Sequence, residues 1–185
     1  MDTFITNAIG TTSVLEALRK LSNEVTAVMI TSDKAYDNVE WVWGYRETDK
    51  LGGKDPYSAS KGMAELAIRS YFESFFNNSD TNVRIGITRA GNVIGGGDWA
   101  LDRIVPDCMN AWSKDIAVNI RSPKATRPWQ HVLEPISGYL QLAASLSKNK
   151  DLNGEAYNFG PPADQNYSVG ELIDEMSKLW KKVQW

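Results

Sequence analysis

Two predicted strands with a helical pattern between them constrain the fold of this chain more than any other feature. Val25–Ile30 is apolar almost without alternation, which is typical of a strand buried on both faces, and residues 83–88 are predicted as the next strand. Residues 56–76 have helical apolar spacing, with Asp55 available as the cap and Pro56 in the first turn. Two such strands joined by a helix predict a crossover unit in a parallel sheet that helices cover.

The remainder of the chain extends this alternation. An amphipathic helix over residues 2–21 precedes the first strand. Farther on the pattern is mixed, and it predicts a helix at 105–112, a strand at 116–120, a helix at 134–147, a strand at Ala156–Phe159 and a helix at 168–182. The predicted fold class is therefore α/β, with helices on both faces of a parallel sheet and part of a smaller carboxyl-terminal lobe.

Composition and charge favour a small polar ligand over a large polyanion. The chain has 185 residues, a net charge of −3 and a hydrophobic fraction of 42%, which indicate a globular domain with no bulk attraction to nucleic acid or an anionic membrane. Cys108 is the single cysteine, so no disulfide can form within the chain. The first residues lack a signal-peptide pattern and no apolar stretch approaches about 20 residues, so we expect a cytoplasmic protein.

Charged side chains follow the first strand directly, at the edge of the sheet where such folds bind ligands. The stretch TSDK places Ser32, Asp33 and Lys34 at the carboxyl end of that strand. Tyr57 and Lys61, in YSASK, are one turn apart on the next helix and project from one face. This spacing alone also fits an ordinary helix face, but its position after TSDK favours a site. A lysine ammonium stabilises a neighbouring phenolate, which would make Tyr57 a usable base.

A series of motifs in a fixed order points to a family. The chain resembles the extended short-chain dehydrogenases/reductases, and within them the CDP-glucose 4,6-dehydratases, in TNAIGT, SDK, YSASK, TRAGNVIGGGDW, RPWQHV and EAYNFGP. The narrower resemblance rests mainly on SDK, DNVEWVWGYRE and NVIGGGDW, since related dTDP-glucose dehydratases usually have a Glu where Lys34 stands. The resemblance implies NAD as cofactor, a nucleotide-sugar substrate and a homodimer when the protein is full length.

The same resemblance implies a domain plan. Residues 1–90 would be the carboxyl-terminal half of a Rossmann-like NAD-binding domain, and residues 91–185 mostly a substrate-binding lobe with interleaved Rossmann elements. The glycine-rich dinucleotide fingerprint is not found in these residues, so we expect the chain to correspond to roughly the middle half of such an enzyme, without the first βαβ units.

The resemblance also implies roles for the charged side chains in a dehydration. Such an enzyme oxidises the sugar at C4 with NAD, eliminates water across C5 and C6, and returns the hydride to C6. Tyr57 would be the base at O4, with Lys61 favouring its phenolate and holding the nicotinamide ribose, and Ser32 would bond the same oxygen. Asp33 would protonate the departing hydroxyl, and Lys34 would take the C5 proton. A lysine can act as that base only where desolvation or a nearby cation favours its neutral form.

Further residues are candidates by the same resemblance. Asn7 would support Lys61 through water, although a polar helix face explains an Asn there equally well. Ala90 would contact the cofactor. Residues proposed for the substrate are Asn92, Arg103, Arg127, His131 and Asn158. Of these, Arg127 suits a pyrophosphate because its guanidinium is a bidentate fork, whereas His131 is better explained by packing than by catalysis. The glycines after Asn92 fit a diphosphate contact or a structural turn.

Two alternatives stay open at this stage. An epimerase or reductase of the same family would use the same Tyr57 and Lys61. Alternatively, the chain is a non-catalytic binding fragment that needs another polypeptide. We expect no metal site in either case.

Overall fold

The computed structural model describes residues 1–100, 102–180, 183 and 185. Its helices are α1 (Asp2–Phe4), α2 (Gly10–Arg19), α3 (Pro56–Tyr71), α4 (Ile104–Trp112), α5 (Leu133–Leu146) and α6 (Val169–Ser177). Its strands are β1 (Val25–Ile30), β2 (Val83–Ala90), β3 (Val93–Ile94), β4 (Thr126–Arg127), β5 (Gln130–His131), β6 (Ala156–Phe159) and β7 (Tyr167–Ser168). Shorter turns are π-helical at Ile5–Ile9 and Phe72–Phe76, and 3-10 at Asp33–Ala35 and Lys150–Leu152.

These elements form two compact units. The first unit contains residues 1–91 and 133–159, and the second contains residues 92–132 and 160–185. Each unit therefore takes residues from two separate parts of the chain. The assignment of a cofactor-binding half and a substrate lobe to these residues stays a prediction.

The first unit is built on a parallel sheet with the strand order β1-β2-β6. β1 pairs with β2 along its whole length, beginning with Val25 opposite Val83. β2 pairs with β6 from Ile87, which lies opposite Ala156. The strands predicted at 25–30, 83–88 and 156–159 and the parallel sheet are confirmed.

Helices cover both faces of this sheet. On one face, Ile85 of β2 forms a buried core with Leu15 of α2 and Ile68 of α3. Successive strand residues point to opposite faces, so the next residue, Gly86, points away from that core. It faces α5, since a Cβ at Gly86 would lie 3.0 Å from Leu142 Cδ2. The predicted packing of helices on both faces is confirmed.

β1 is less buried than the sequence predicts. We predicted a strand buried on both faces, but Val25 to Met29 are half-buried and Ile30 is 61% exposed. In the part of the chain that the structure describes, β1 pairs with β2 alone and forms an edge of the sheet. No strand therefore pairs with the outer edge of β1. An apolar run by itself does not show whether a strand is central or at an edge.

The second unit has a separate apolar core, formed by Cys108 and Trp112 of α4 and by Ile173 of α6. Burial, together with the charge of Asp107, raises the pKa of the Cys108 thiol to about 11. This thiol therefore stays protonated and unreactive at neutral pH. β3 pairs with β5 in parallel, and β4 pairs with β7 in antiparallel orientation.

Two predictions for the second unit are wrong. Residues 116–120 form no strand, and Val118 and Ile120 instead pack against the core of this unit. Their apolar alternation reflects burial, whereas a strand also requires a partner at hydrogen-bonding distance. The last helix is shorter than predicted. α6 begins after a capping box at Ser168 and ends at Ser177. Residues 181 and 182 of the predicted helix lie outside the described residues.

None of the helices in the described ranges combines the length and the hydropathy that a membrane span requires. Across the same residues, no three His, Cys, Asp or Glu side chains are grouped closely enough to hold a metal ion.

The amino terminus of α3 is capped as predicted. Asp55 Oδ1 accepts hydrogen bonds from the Tyr57 and Ser58 amides at 2.9 and 3.0 Å, and Oδ2 accepts one from the Ser58 hydroxyl at 2.7 Å. Hydrogen bonds from the Ser58 hydroxyl and amide and from the Tyr57 amide, with the charge of Lys34, hold the pKa of Asp55 below its ordinary value.

Replacing Asp55 with Ala is expected to lower the free energy of unfolding by about 1 kcal/mol, because two helix amides lose their acceptor. The pKa of Asp55 is lowered in the folded state, so this contribution is present above the pKa of the unfolded carboxyl and is lost as pH falls through the folded pKa. Urea denaturation at neutral pH and in acid measures the difference. Asp55→Ser, which keeps an acceptor, is the control, and a difference that persists undiminished in acid would contradict this account.

Candidate active site

A short turn after β1 carries Ser32, Asp33 and Lys34. The Thr31 amide donates to Thr88 O at 2.8 Å, which holds the chain to the end of the sheet. Ser32 Oγ then accepts from the Lys34 amide at 3.2 Å and donates to Asp33 Oδ1 at 3.0 Å. Ser32 and Asp33 are half-buried and Lys34 is exposed. The turn thus presents a hydroxyl, a carboxylate and an ammonium group at the carboxyl edge of the sheet.

The three residues predicted to contact the cofactor, Tyr57, Lys61 and Ala90, all belong to the first unit. Lys61 Nζ lies 5.8 Å from the centre of the Tyr57 ring, and 45% of Tyr57 is exposed. Burial holds the pKa of Lys61 below its ordinary value. Among the described residues this half-buried ammonium has no hydrogen-bonding partner, so it is available to a ligand. Ala90 is buried at the carboxyl end of β2.

Asn7 reaches the same helix through a serine. It lies in the π-helical turn Ile5–Ile9, and its Nδ2 donates to Ser60 Oγ at 2.9 Å. Ser60 Oγ in turn donates to Tyr57 O at 2.6 Å. Ser60 is completely buried and was not singled out by sequence, although its place directly before Lys61 in YSASK was the available signal. The structure therefore connects Asn7 to the backbone of Tyr57, and its predicted support of Lys61 through water stays a prediction.

α3 lies within contact distance of the turn that follows β1 at Gly62. A Cβ at Gly62 would lie 3.4 Å from Gly52 N and 3.5 Å from Ala35 O, and the Gly52 amide donates to Ala35 O at 2.8 Å. At the start of α3, the charge of Lys34 contributes to the lowered pKa of Asp55, after the larger effect of the Ser58 hydrogen bonds. The structure thus brings the charged turn and the first turns of α3 together.

A buried ion pair next to these residues was not predicted from the sequence. Arg89 of β2 donates from Nε and Nη2 to the two carboxylate oxygens of Glu65, each at 2.7 Å. Glu65 is 2% exposed and Arg89 is 5% exposed. Burial alone would lower the pKa of Arg89, but the hydrogen bonds and charge of Glu65 outweigh it and raise that pKa. The Thr31 hydroxyl also donates to Glu65 Oε1, so this carboxylate contacts the residue that precedes Ser32.

The ion pair extends to Tyr36 and Asn158. Arg89 Nη1 donates to Tyr36 Oη at 2.7 Å, and Tyr36 Oη donates to Asn158 Oδ1 at 2.7 Å. Asn158 Nδ2 donates to Tyr45 O at 2.8 Å, so both polar groups of this side chain already bond within the protein. Burial raises the pKa of Tyr36, which keeps its hydroxyl protonated. The predicted contact of Asn158 with the substrate stays a prediction.

The other predicted substrate contacts, Asn92, Arg103, Arg127 and His131, belong to the second unit. Asn92 is half-buried, and its carbonyl accepts from the Gln130 amide at 3.0 Å. Arg127 lies in β4 with Nη1 donating to Thr126 O at 2.7 Å. Arg103 is exposed directly before α4, and His131 is exposed in β5.

The glycine run of the second unit has a structural use. Gly97 has a φ of +82°, which side chains rarely adopt, and a Cβ at Gly95 would lie 2.8 Å from Val132 Cγ1. These observations favour a structural turn for the two glycines. The roles of the neighbouring polar residues toward a substrate stay predictions.

Comparison with known proteins identifies relatives of this chain. It matches the GDP-mannose 4,6 dehydratase family over residues 1–183. It is 47% identical over 183 residues to CDP-glucose 4,6-dehydratase from Salmonella typhimurium, an alignment that covers 97% of this chain and 51% of that protein. The chain therefore spans about half the length of this curated relative.

Solved structures give the same outcome for the fold. UDP-glucuronic acid 4-epimerase from Bacillus cereus, in complex with UDP-glucuronic acid and NAD, superimposes with a TM-score of 0.79 at 20% identity, covering 98% of this chain and 58% of the epimerase. dTDP-glucose 4,6-dehydratase from Bacillus anthracis, in complex with NAD, gives a TM-score of 0.76 at 21% identity, covering 98% and 55%. At these identities the likeness shows the fold, and the predicted Rossmann-like α/β class is confirmed.

Proposed function

Because the chain belongs to the GDP-mannose 4,6 dehydratase family, we propose that it carries the catalytic residues of an NAD-dependent nucleotide-sugar 4,6-dehydratase. The proposed reaction converts CDP-glucose to CDP-4-keto-6-deoxyglucose. The observation that carries the proposal is the placement of the Ser32–Lys34 turn beside the helix of Tyr57 and Lys61. The relative that is 47% identical and is named CDP-glucose 4,6-dehydratase supports the choice of substrate.

The residues present fit the nicotinamide half of NAD. Lys61 offers a half-buried ammonium beside the Tyr57 ring, which suits the hydroxyls of a ribose. Ala90, the last residue of β2, is the third residue proposed to contact the cofactor. Bound NAD supplies the hydride acceptor for oxidation at C4 and the hydride donor for reduction at C6. The remaining chemistry falls to side chains of this chain.

Oxidation at C4 needs a base and a hydrogen-bond donor at the same oxygen. Tyr57 takes the proton from O4, and the Lys61 ammonium lies 5.8 Å from the centre of its ring. The Ser32 hydroxyl, which donates to Asp33 in this structure, turns to donate to O4 as the ketone forms. These two groups suffice for an epimerase or reductase as well.

Elimination needs an acid at the C6 hydroxyl and a base at C5. The ketone at C4 makes the C5 proton acidic, and Lys34 takes it. Asp33 gives a proton to the departing hydroxyl, which leaves as water. Lys34 is exposed in this structure, so a bound sugar has to remove water from around its amine before that group can act as a base.

We propose that the second unit holds the nucleotide. Arg127 supplies a planar guanidinium for the diphosphate, and Asn92, Arg103 and His131 are further contacts in the same unit. Asn158 was also predicted to contact the substrate, but it lies in β6 of the first unit and both polar groups of its side chain bond within the protein. We also propose a homodimer for the full-length protein and a cytoplasmic location. The exposed apolar side chains of Met63 and Leu66 on α3 support the first, and the single buried thiol supports the second.

Calorimetric titration with NAD, followed by incubation with CDP-glucose, tests the proposed function. A 4-keto-6-deoxy sugar product is expected, and mass spectrometry detects it as a loss of water. A product with inverted stereochemistry and unchanged mass would favour the epimerase. No binding of NAD to the chain would favour a binding fragment that needs a second polypeptide, an alternative that the unpaired edge of β1 in the described residues also favours.

Replacing Lys34 with Met is expected to slow elimination by about 10²-fold while oxidation at C4 continues, because the C5 base is lost and Tyr57 is retained. Reduced cofactor, measured by its absorbance, should then accumulate without a 4-keto-6-deoxy product. Lys150→Met is the control. This exposed lysine lies in the Lys150–Leu152 turn before the amino end of β6, whereas Lys34 lies at the carboxyl edge of the sheet. Unchanged dehydration by the Lys34 variant would remove Lys34 from the mechanism.

A further inference from the structure

Three residues of α3 lie along one face at intervals of one helical turn: Tyr57, Lys61 and Glu65. The first two are half-buried or exposed and belong to the proposed active site. Glu65 is 2% exposed and has no role in that chemistry. An acidic residue is rarely buried without a reason, since removing a carboxylate from water is costly. The partners of Glu65 indicate what it does.

Glu65 contacts Thr31, the residue directly before the Ser32–Lys34 turn, which we call the reactive turn. Its Oε1 accepts from the Thr31 hydroxyl, and Thr31 directly precedes Ser32. The same hydroxyl lies 3.1 Å from Thr88 O, its alternative acceptor on β2. The bond to Glu65 therefore ties the helix that carries Tyr57 to the strand that carries the turn.

Arg89 fixes this carboxylate and also holds the far end of the turn. Its bidentate fork sets both oxygens of Glu65, with two bonds of 2.7 Å. Its Nη1 donates to Tyr36 Oη at 2.7 Å, and the Arg89 guanidinium lies 4.8 Å from the centre of the Tyr36 ring. Tyr36 directly follows the 3-10 turn Asp33–Ala35. Glu65 thus bonds to the residue before the reactive turn, and its partner Arg89 bonds to Tyr36, shortly after it.

We propose that Glu65 and Arg89 are positioning residues, which set the Ser32–Lys34 turn at a fixed place relative to Tyr57 and Lys61. This inference rests on the proposed function, because it assigns the pair to the geometry of that reaction. Buried ion pairs contribute little to stability compared with apolar residues of the same volume, so a geometric role explains this one better than a stabilising role. Small displacements of reacting groups lower catalytic rates strongly, so holding the turn at a fixed place favours the reaction.

The sharpest test removes one hydrogen bond and keeps the ion pair. Thr31→Val has the shape of threonine without the hydroxyl, and Thr31→Ser retains the hydroxyl. With CDP-glucose and NAD, the Val variant is expected to lower kcat about tenfold to hundredfold with little change in KM or in melting temperature. The Ser variant should restore kcat. An unchanged kcat in the Val variant, or an equal loss in both variants, would overturn the proposal.

A measurement without turnover separates this inference from the proposed function. If the wild-type protein does not dehydrate CDP-glucose, the proposed function fails, and amide hydrogen exchange still tests the restraint. The Lys34 and Ala35 amides should exchange faster in Thr31→Val than in Thr31→Ser, while the Ile87 amide in the core of the sheet is unchanged. Equal exchange in the two variants would overturn the proposal.

Should Thr31→Val fail to fold, Tyr36→Phe tests the other end of the turn. It removes the oxygen that accepts from Arg89 Nη1 and donates to Asn158 Oδ1, and it keeps the aromatic ring over the guanidinium. The same loss of kcat and the same faster exchange at Lys34 and Ala35 are expected. Wild-type values in both measurements would overturn the proposal.

Discussion

Replacing Arg89 with Met is expected to lower the free energy of unfolding by about 3–5 kcal/mol, the cost of leaving a buried charge without its partner. Glu65 is 2% exposed and receives two of its hydrogen bonds from Arg89, each at 2.7 Å. In the variant only the Thr31 hydroxyl still donates to that carboxylate among its present partners. Equilibrium denaturation by urea, followed by circular dichroism, measures the loss.

A double variant distinguishes loss of the pair from loss of one charge. Glu65→Leu combined with Arg89→Met should be more stable than Arg89→Met alone, because no charge stays buried. The two hydroxyls that contact the pair keep other acceptors, since Thr31 can donate to Thr88 O at 3.1 Å and Tyr36 donates to Asn158 at 2.7 Å. A double variant no more stable than Arg89→Met alone would contradict this account, because removing the unpaired carboxylate would then have recovered nothing.

The double variant also connects stability with geometry. If Glu65 and Arg89 act as positioning residues, their apolar replacement should recover much of the stability and little of kcat. Recovery of both would mean that packing alone places the reactive turn. The comparison therefore separates a restraint on the turn from a contribution to the core.

The elements that the sequence predicts correctly are those with a local cause. The helix at α3 follows from apolar spacing, the Asp55 cap and Pro56 in the first turn, all of which lie within the segment itself. β2 follows as the next strand in the alternation of helices and strands, with Val83, Ile85 and Ile87 at every second position. The strand predicted at 116–120 fails because pairing depends on a neighbour, and Val118 instead packs on the core of the second unit.

The candidate site likewise combines features that follow from a single element with features that depend on a distant partner. Sequence places Ser32 at a strand end and Tyr57 and Lys61 on one helix face, because each position follows from a single element. The sequence does not predict the ion pair, because a Glu on a helix is expected to be exposed unless a buried partner is known. One signal was present: Arg89 follows a run of buried strand residues, and a guanidinium there requires a buried acid. The spacing of Glu65 four residues after Lys61 then selects the acid.

Replacing Tyr57 with Phe is expected to slow oxidation at C4 by roughly 10³-fold to 10⁴-fold, at the upper end of what a positioned base contributes. The variant keeps the ring beside Lys61, 5.8 Å from its ammonium, and loses only the phenol oxygen, which is the proposed acceptor of the O4 proton. Because elimination requires the ketone, no later step can proceed faster than this one. Single-turnover mixing with CDP-glucose, followed by the absorbance of reduced cofactor, measures the oxidation directly.

The matched control is Tyr71→Phe, the same chemical change at the last residue of the same helix. Tyr71 donates to Glu16 Oε1 at 2.8 Å on α2, away from the carboxyl edge of the sheet, so its variant should oxidise CDP-glucose at the wild-type rate. Reduced cofactor formed at the wild-type rate by Tyr57→Phe would assign the base to another group. Slow oxidation in both variants would instead point to the stability of α3. Only a loss confined to Tyr57 identifies the phenol as the base at O4.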